Sequence, residues 1–134
     1  MSLHEQAVRN IIRRDPRYPP EAYEFLFTAL YFTQRHLGKP DKTSTGAEAT
    51  EAHVSGPELL DGIRRFAKEH FGLMARTVFR MWNINKTEDF GNIVYNLIEE
   101  KLLTSTPTDR KDDFHNVYNL DEVLTMDFDL DWEE

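Results

Sequence analysis

The chain contains no cysteine. That absence removes disulfides, thiol nucleophiles and thiolate zinc or iron–sulfur sites, together with redox chemistry by the polypeptide itself. No apolar run approaches the roughly eighteen residues that a membrane-spanning helix needs, and the first residues, Met1-Ser-Leu-His-Glu-Gln6, lack the basic-then-apolar layout of a signal peptide. The expectation is a cytoplasmic protein with no membrane partner. Glycine-rich phosphate loops are missing as well. The five histidines, His4, His36, His53, His70 and His115, show no i, i+4 pairing and no His-Glu-x-x-His pattern, so a helical metal site is not expected. His53 stands near Ser55, but sequence neighbours rarely have the geometry of a nucleophile and its base, and Ser55 has a better use as a helix cap. His115 with Asp112 and Asp113 would hold a divalent ion only loosely. No catalytic residue, metal or cofactor is therefore expected, and the chain is read as non-enzymatic.

Basic residues are also missing from one whole region. From Asp112 to Glu134 there are nine acids (Asp112, Asp113, Asp121, Glu122, Asp127, Asp129, Asp131, Glu133, Glu134) and no Lys or Arg. The net charge of -8 belongs entirely to this end, because residues 1–111 carry fifteen acids and all sixteen basic residues. The last residues, Met126-Asp-Phe-Asp-Leu-Asp-Trp-Glu-Glu134, alternate Phe128, Leu130 and Trp132 with acids, a composition suited to a groove or a basic surface and poor for a core. These three side chains are the candidate partner-binding residues. Other readings of the tail are a lid over Arg64, Arg65 and Lys68, an added edge strand, and a solubilising end with Trp132 packed locally.

With 134 residues, 40% of them apolar and 12% aromatic, the chain can bury about two-thirds of its unfolded surface as one domain. Residues 1–37 read as a pair of helices. Leu3, Ala7, Val8, Ile11 and Ile12 recur at helical spacing up to Asp15-Pro16, which predicts a helix over 3–14. A second begins after Pro19-Pro20, with acids in its first turns, and runs to Gly38. Its apolar content is nearly circumferential, with Tyr23, Phe25, Leu26, Phe27, Leu30, Tyr31 and Phe32, so it is either central to the fold or a contact surface, including one for a homodimer. Residues 38–54 are small, polar and aperiodic, the composition of a flexible loop.

Ser55 and Glu58 make a capping-box pattern for a third helix, which carries Leu59, Leu60, Ile63, Phe66, Ala67 and Phe71 inward and ends at Gly72. Ala75, Val78, Phe79 and Trp82 predict a short fourth helix. Thr87 is the expected cap of a fifth, through Phe90, Ile93, Val94, Leu97 and Ile98. The stretch Phe114–Leu120 alternates like a short strand after turn-rich residues 104–113, predicting a β-hairpin. The expected fold is therefore mainly α, one domain of five helices over residues 1–123 with a small C-terminal hairpin, followed by a tail over 124–134.

Three short helices leading through Glu99-Glu-Lys-Leu-Leu103 into strand-turn-strand resemble a winged helix over residues 55–120. Separately, His53-Val-Ser-Gly-Pro-Glu-Leu-Leu-Asp-Gly-Ile-Arg-Arg-Phe-Ala67, Phe71-Gly72, Trp82, Thr87-Glu-Asp-Phe-Gly-Asn-Ile-Val94 and Asp112-Asp-Phe-His-Asn-Val-Tyr118 resemble a family of uncharacterised bacterial proteins of about this length. That likeness implies no particular activity and no site residue. The winged-helix likeness suggests nucleic-acid binding, yet the recognition helix would present Glu88, Asp89, Glu99 and Glu100, which repel phosphate. Arg64, Arg65, Lys68, Arg76 and Arg80, or Arg9, Arg13, Arg14 and Arg17, are better candidates for an anion; as an ordinary feature they are solvated helix faces. The expected function is a protein-interaction or adaptor module with an unknown protein partner; the alternative is a nucleic-acid-associated regulator whose acidic tail masks its own basic face.

Overall fold

The computed structural model describes residues 3–38, 53–104 and 109–124. Five α-helices occur among them: α1 (Leu3–Arg14), α2 (Pro20–His36), α3 (Gly56–Phe71), α4 (Ala75–Met81) and α5 (Thr87–Glu99). Short 3-10 turns span Gly72–Met74 and Lys111–Phe114, and residues 120–124 are helical. None of these helices is long and apolar enough to cross a membrane.

Helix α1 buries Val8 and Ile11 and stops where the Asp15 amide donates to the Ile11 carbonyl at 2.8 Å, just before Pro16. Helix α2 is the central element. It packs chiefly on α3 and also touches α1 and α5, burying Ala22, Tyr23, Phe25, Leu26, Ala29, Leu30, Thr33 and Gln34. The wide apolar arc that also suited a homodimer contact is thus turned into the core, and of its large side chains only Tyr31 stands well exposed. Helices α2 and α3 approach closely because Gly62 has no side chain: a β-carbon there would lie 1.8 Å from Thr33 Oγ1.

The expected cap of α3 is present in both halves. The Glu58 amide donates to Ser55 Oγ at 3.3 Å, and the Ser55 amide donates to Glu58 Oε1 at 2.9 Å. Gly72, at φ 54°, ends the helix as expected. The cap of α5 differs from expectation. Lys86 occupies the cap position and Thr87 is the first helical residue, fully buried. Asp89 does the capping, its Oδ2 accepting from the amides of Asn85 (2.8 Å) and Lys86 (3.2 Å).

Asp89 Oδ1 also accepts from the buried Tyr18 hydroxyl at 2.6 Å, and Asn92 Nδ2 donates to that hydroxyl at 3.0 Å. A second bridge joins the same parts of the chain: Asn96 Nδ2 donates to Asp15 Oδ2 at 2.8 Å and to the Tyr23 hydroxyl at 3.1 Å. Two polar bridges therefore fasten the α1–α2 turn to α5. Away from them, Phe25 lies 5.4–5.6 Å from the rings of Phe66, Phe71, Phe79 and Trp82, stacked on Phe71, edge-on to Phe79 and tilted against the other two.

The expected β-hairpin is not found: no strand occurs among the described residues. Phe114 ends a 3-10 turn, Asn116 takes a left-handed φ of 46°, and the Val117 amide donates to Thr87 Oγ1 at 3.1 Å instead of to a neighbouring strand. The alternation that suggested a strand comes from anchoring. Phe114 and Leu120 are buried, and the Tyr118 hydroxyl between them donates to the Leu60 carbonyl at 2.7 Å. Phe114 seats against α5 because Gly91 leaves room, a β-carbon there lying 2.9 Å from Phe114 Cβ.

Candidate functional site

Four of the five cationic side chains considered for anion binding are divided between two carboxylates. On α3, Asp61 accepts from Arg64 Nη2 at 2.9 Å and from Arg65 Nε at 2.8 Å. Burial pushes the Asp61 carboxyl up, and the Arg65 and Arg64 hydrogen bonds more than offset it, leaving it below the usual range. Lys68 borders a shallow depression with Arg64, Arg65 and Glu69. On α4, Arg76 Nε and Arg80 Nη2 donate to Asp121 Oδ1 at 2.6 and 3.3 Å. The Arg76 hydrogen bond holds the Asp121 carboxyl low. An anion would have to displace these carboxylates, which surface pairing worth about 0–1 kcal/mol would permit but not favour. Asp121 thus ties the C-terminal segment to α4, and Leu124 is buried just after it. Phe128, Leu130 and Trp132 lie outside the described residues.

The four-fold Arg group from α1 is partly spoken for. Arg14 Nη1 donates to Glu99 Oε2 at 3.1 Å and Arg14 Nη2 to Glu100 Oε1 at 3.4 Å. Arg17 clasps Asp15 through Nε and Nη2, both at 2.8 Å.

Helix α4 presents a different surface. Ala75 and Phe79 are buried, while Met74, in the 3-10 turn before the helix, the half-buried Val78 and Met81, the last helical residue, share a flank at i, i+4 and i+7. Leu73, Met74 and Met81 are 68%, 55% and 75% exposed. Single exposed apolar residues are ordinary on any protein. Leu73 and Met74 in the 3-10 turn and Met81 at the end of α4 leave three large apolar side chains exposed within the 73–81 segment.

The histidines take separate partners. His36 stacks on Phe32 and His70 on Phe66, and His115 Nδ1 is 2.8 Å from Glu88 Oε2, away from Asp112 and Asp113. No group of three or more His, Asp or Glu side chains suited to a metal ion occurs among the described residues. His53 Nε2 sits 2.8 Å from Asp109 Oδ2, while Ser55 Oγ accepts the Glu58 amide as the cap of α3.

No family model matches the chain, and comparison with curated proteins and with solved structures returns no match. The functional reading therefore rests on geometry.

The His53–Asp109 pair stands at a half-open cavity of ≈ 190 Å³ lined by residues of α2, α3, α5, the 102–104 segment and the 109–114 segment. Leu30, Leu59, Val94, Ile98, Leu102 and Phe114 form its apolar wall. Tyr95, Arg110 and Asp113 join Asp109 at the polar side. Burial raises the Tyr95 hydroxyl above its usual range, and the charges of Asp109 and Asp113 add to that. Sequence reasoning missed this site because its walls come from four separated stretches, each of which reads locally as ordinary core.

Proposed function

We propose that this chain is a non-catalytic protein-interaction module whose contact surface is the exposed apolar part of α4 and of the 3-10 turn that precedes it. The observation that carries the reading is the exposure of Leu73 and Met74 in the turn before that helix and of Met81 at its end. Each such side chain, fully buried by a partner, would stabilise the complex by roughly 1.5–3 kcal/mol. The acidic-aromatic end supplies a second contact in this reading, with Phe128, Leu130 and Trp132 as apolar anchors and the acids steering the chain onto a basic partner surface.

The test uses three immobilised proteins: the full chain, a chain ending at Leu124 so that the buried Leu124 is kept, and a Met74→Ser/Met81→Ser variant. A defined protein retained by the full chain and lost by the variant, at unchanged melting temperature, supports the α4 contact. Equal retention by the variant overturns it. Loss by the shortened chain alone assigns the contact to the tail instead.

The alternative, a nucleic-acid-associated regulator with a self-masking tail, would use the Arg64–Arg65–Lys68 and Arg76–Arg80 faces. It draws less support, since Asp61 and Asp121 already hold four of those five side chains. Its signature would be salt-sensitive DNA or RNA binding that strengthens when the tail is removed.

A further inference from the structure

We propose that the cavity between α2, α3, α5 and the 109–114 segment is a binding site for a small primary amine carrying a compact apolar body, such as a single ring or a branched alkyl group. Size sets the body. An apolar cavity of about 150 Å³ is enough to take up a benzene ring, whereas sites for drug-sized ligands run from about 300 Å³ upward. At ≈ 190 Å³, this cavity holds about one ring or its aliphatic equivalent.

The wall is apolar and rigid. Leu59 sits in the first turn of α3 and Val94 mid-helix on α5, Leu30 belongs to the central α2, and Phe114 is held against Gly91. Filling the space would replace missing van der Waals contacts without rearranging the core.

Charge sets the head. Asp109 and Asp113 both line the cavity, and their charges add to the burial that raises the Tyr95 hydroxyl on the same lining. His53 is 2.8 Å from Asp109. Asp113 lines the cavity, and its Oδ2 accepts the Arg110 amide at 3.1 Å; the proposed ammonium head is placed against this carboxylate. The Arg110 guanidinium is the opposing charge. It is on an exposed residue at the mouth, where water screens it more than the carboxylates that face the apolar wall. A cation is therefore favoured over an anion of the same shape.

The experiment titrates benzylamine, benzyl alcohol and benzoate separately into the full-length chain and follows backbone amide resonances. Benzylamine is expected to shift amides within 53–56, 94–98 and 109–114, and to bind about tenfold or more tightly than benzoate. Asp113→Asn, which keeps an oxygen able to accept the Arg110 amide, should reduce benzylamine affinity about tenfold and leave benzyl alcohol unchanged. Val94→Phe, which fills the cavity, should abolish all three; where its amide spectrum shows loss of fold, Ile98→Phe replaces it. Shifts confined to other residues, benzoate binding as tightly as benzylamine, or an Asp113→Asn protein indistinguishable from wild type would each overturn the proposal.

Discussion

Thr33 Oγ1 occupies the position that a side chain on Gly62 would need, 1.8 Å from an ideal β-carbon, with Thr33 Cβ at 2.8 Å and Cγ2 at 2.9 Å. Thr33 cannot easily move aside, because its hydroxyl donates to the Ala29 carbonyl at 2.7 Å and the residue is buried. The crossing of α2 and α3 is set at this contact. Both the cavity wall and the aromatic cluster around Phe25 depend on that spacing.

Gly62→Ala should therefore destabilise the protein by about 1–3 kcal/mol, the usual cost of overpacking a filled core. Pairing it with Thr33→Ala should restore part of the loss, since Oγ1 and Cγ2 are removed but Cβ remains close. Denaturant unfolding of the two single variants and the double variant measures the coupling. Additive effects would show that the helices separate instead of clashing.

Ser55→Ala removes the oxygen that accepts the Glu58 amide and should cost about 1 kcal/mol. Glu58→Ala should cost a comparable amount, and the double variant less than the sum, because each half of the box supports the other. Thermal unfolding of the set is sufficient to read this.

Asp15 links acid stability to the α1–α2 turn. Its carboxyl is held well below the ordinary value of 3.8, chiefly by the Arg17 side-chain hydrogen bond, with burial opposing and Asn96 assisting. A folded-state value below the unfolded one means the unfolded chain binds the proton first. The stabilisation is complete above the unfolded value and is lost as the pH falls below about 4 toward the folded value. Stability measured from pH 6 down to pH 2 should fall more steeply for the wild type than for Asp15→Asn, which can still accept from Asn96 but has no such proton linkage. Parallel curves would show that Asp15 carries no linkage.

The ends of the helices were legible locally. Pro16, the Pro19-Pro20 pair, the Ser55–Glu58 box and Gly72 each act on the backbone within a few residues, through fixed φ, a cap hydrogen bond or a left-handed turn. Reading Thr87 as a cap failed because a buried hydroxyl accepting from Val117, thirty positions later, looks the same in sequence as a capping one. Reading 114–120 as a strand failed for a related reason. Alternating burial can arise from Phe114, Tyr118 and Leu120 anchoring an irregular segment on α3 and α5, and period alone does not separate that from a strand.

By itself the sequence determined the helical class, the positions of the five helices and the segregation of negative charge at the C-terminal end, since these depend on short-range sterics, periodicity and composition. Only the tertiary structure decided that α2 is core, that Asp61 and Asp121 neutralise the arginine clusters, that α4 leaves Met74 and Met81 outside, and that His53 meets Asp109 beside an apolar cavity. These outcomes depend on side chains tens of residues apart meeting at angström precision, which packing imposes and local sequence does not encode.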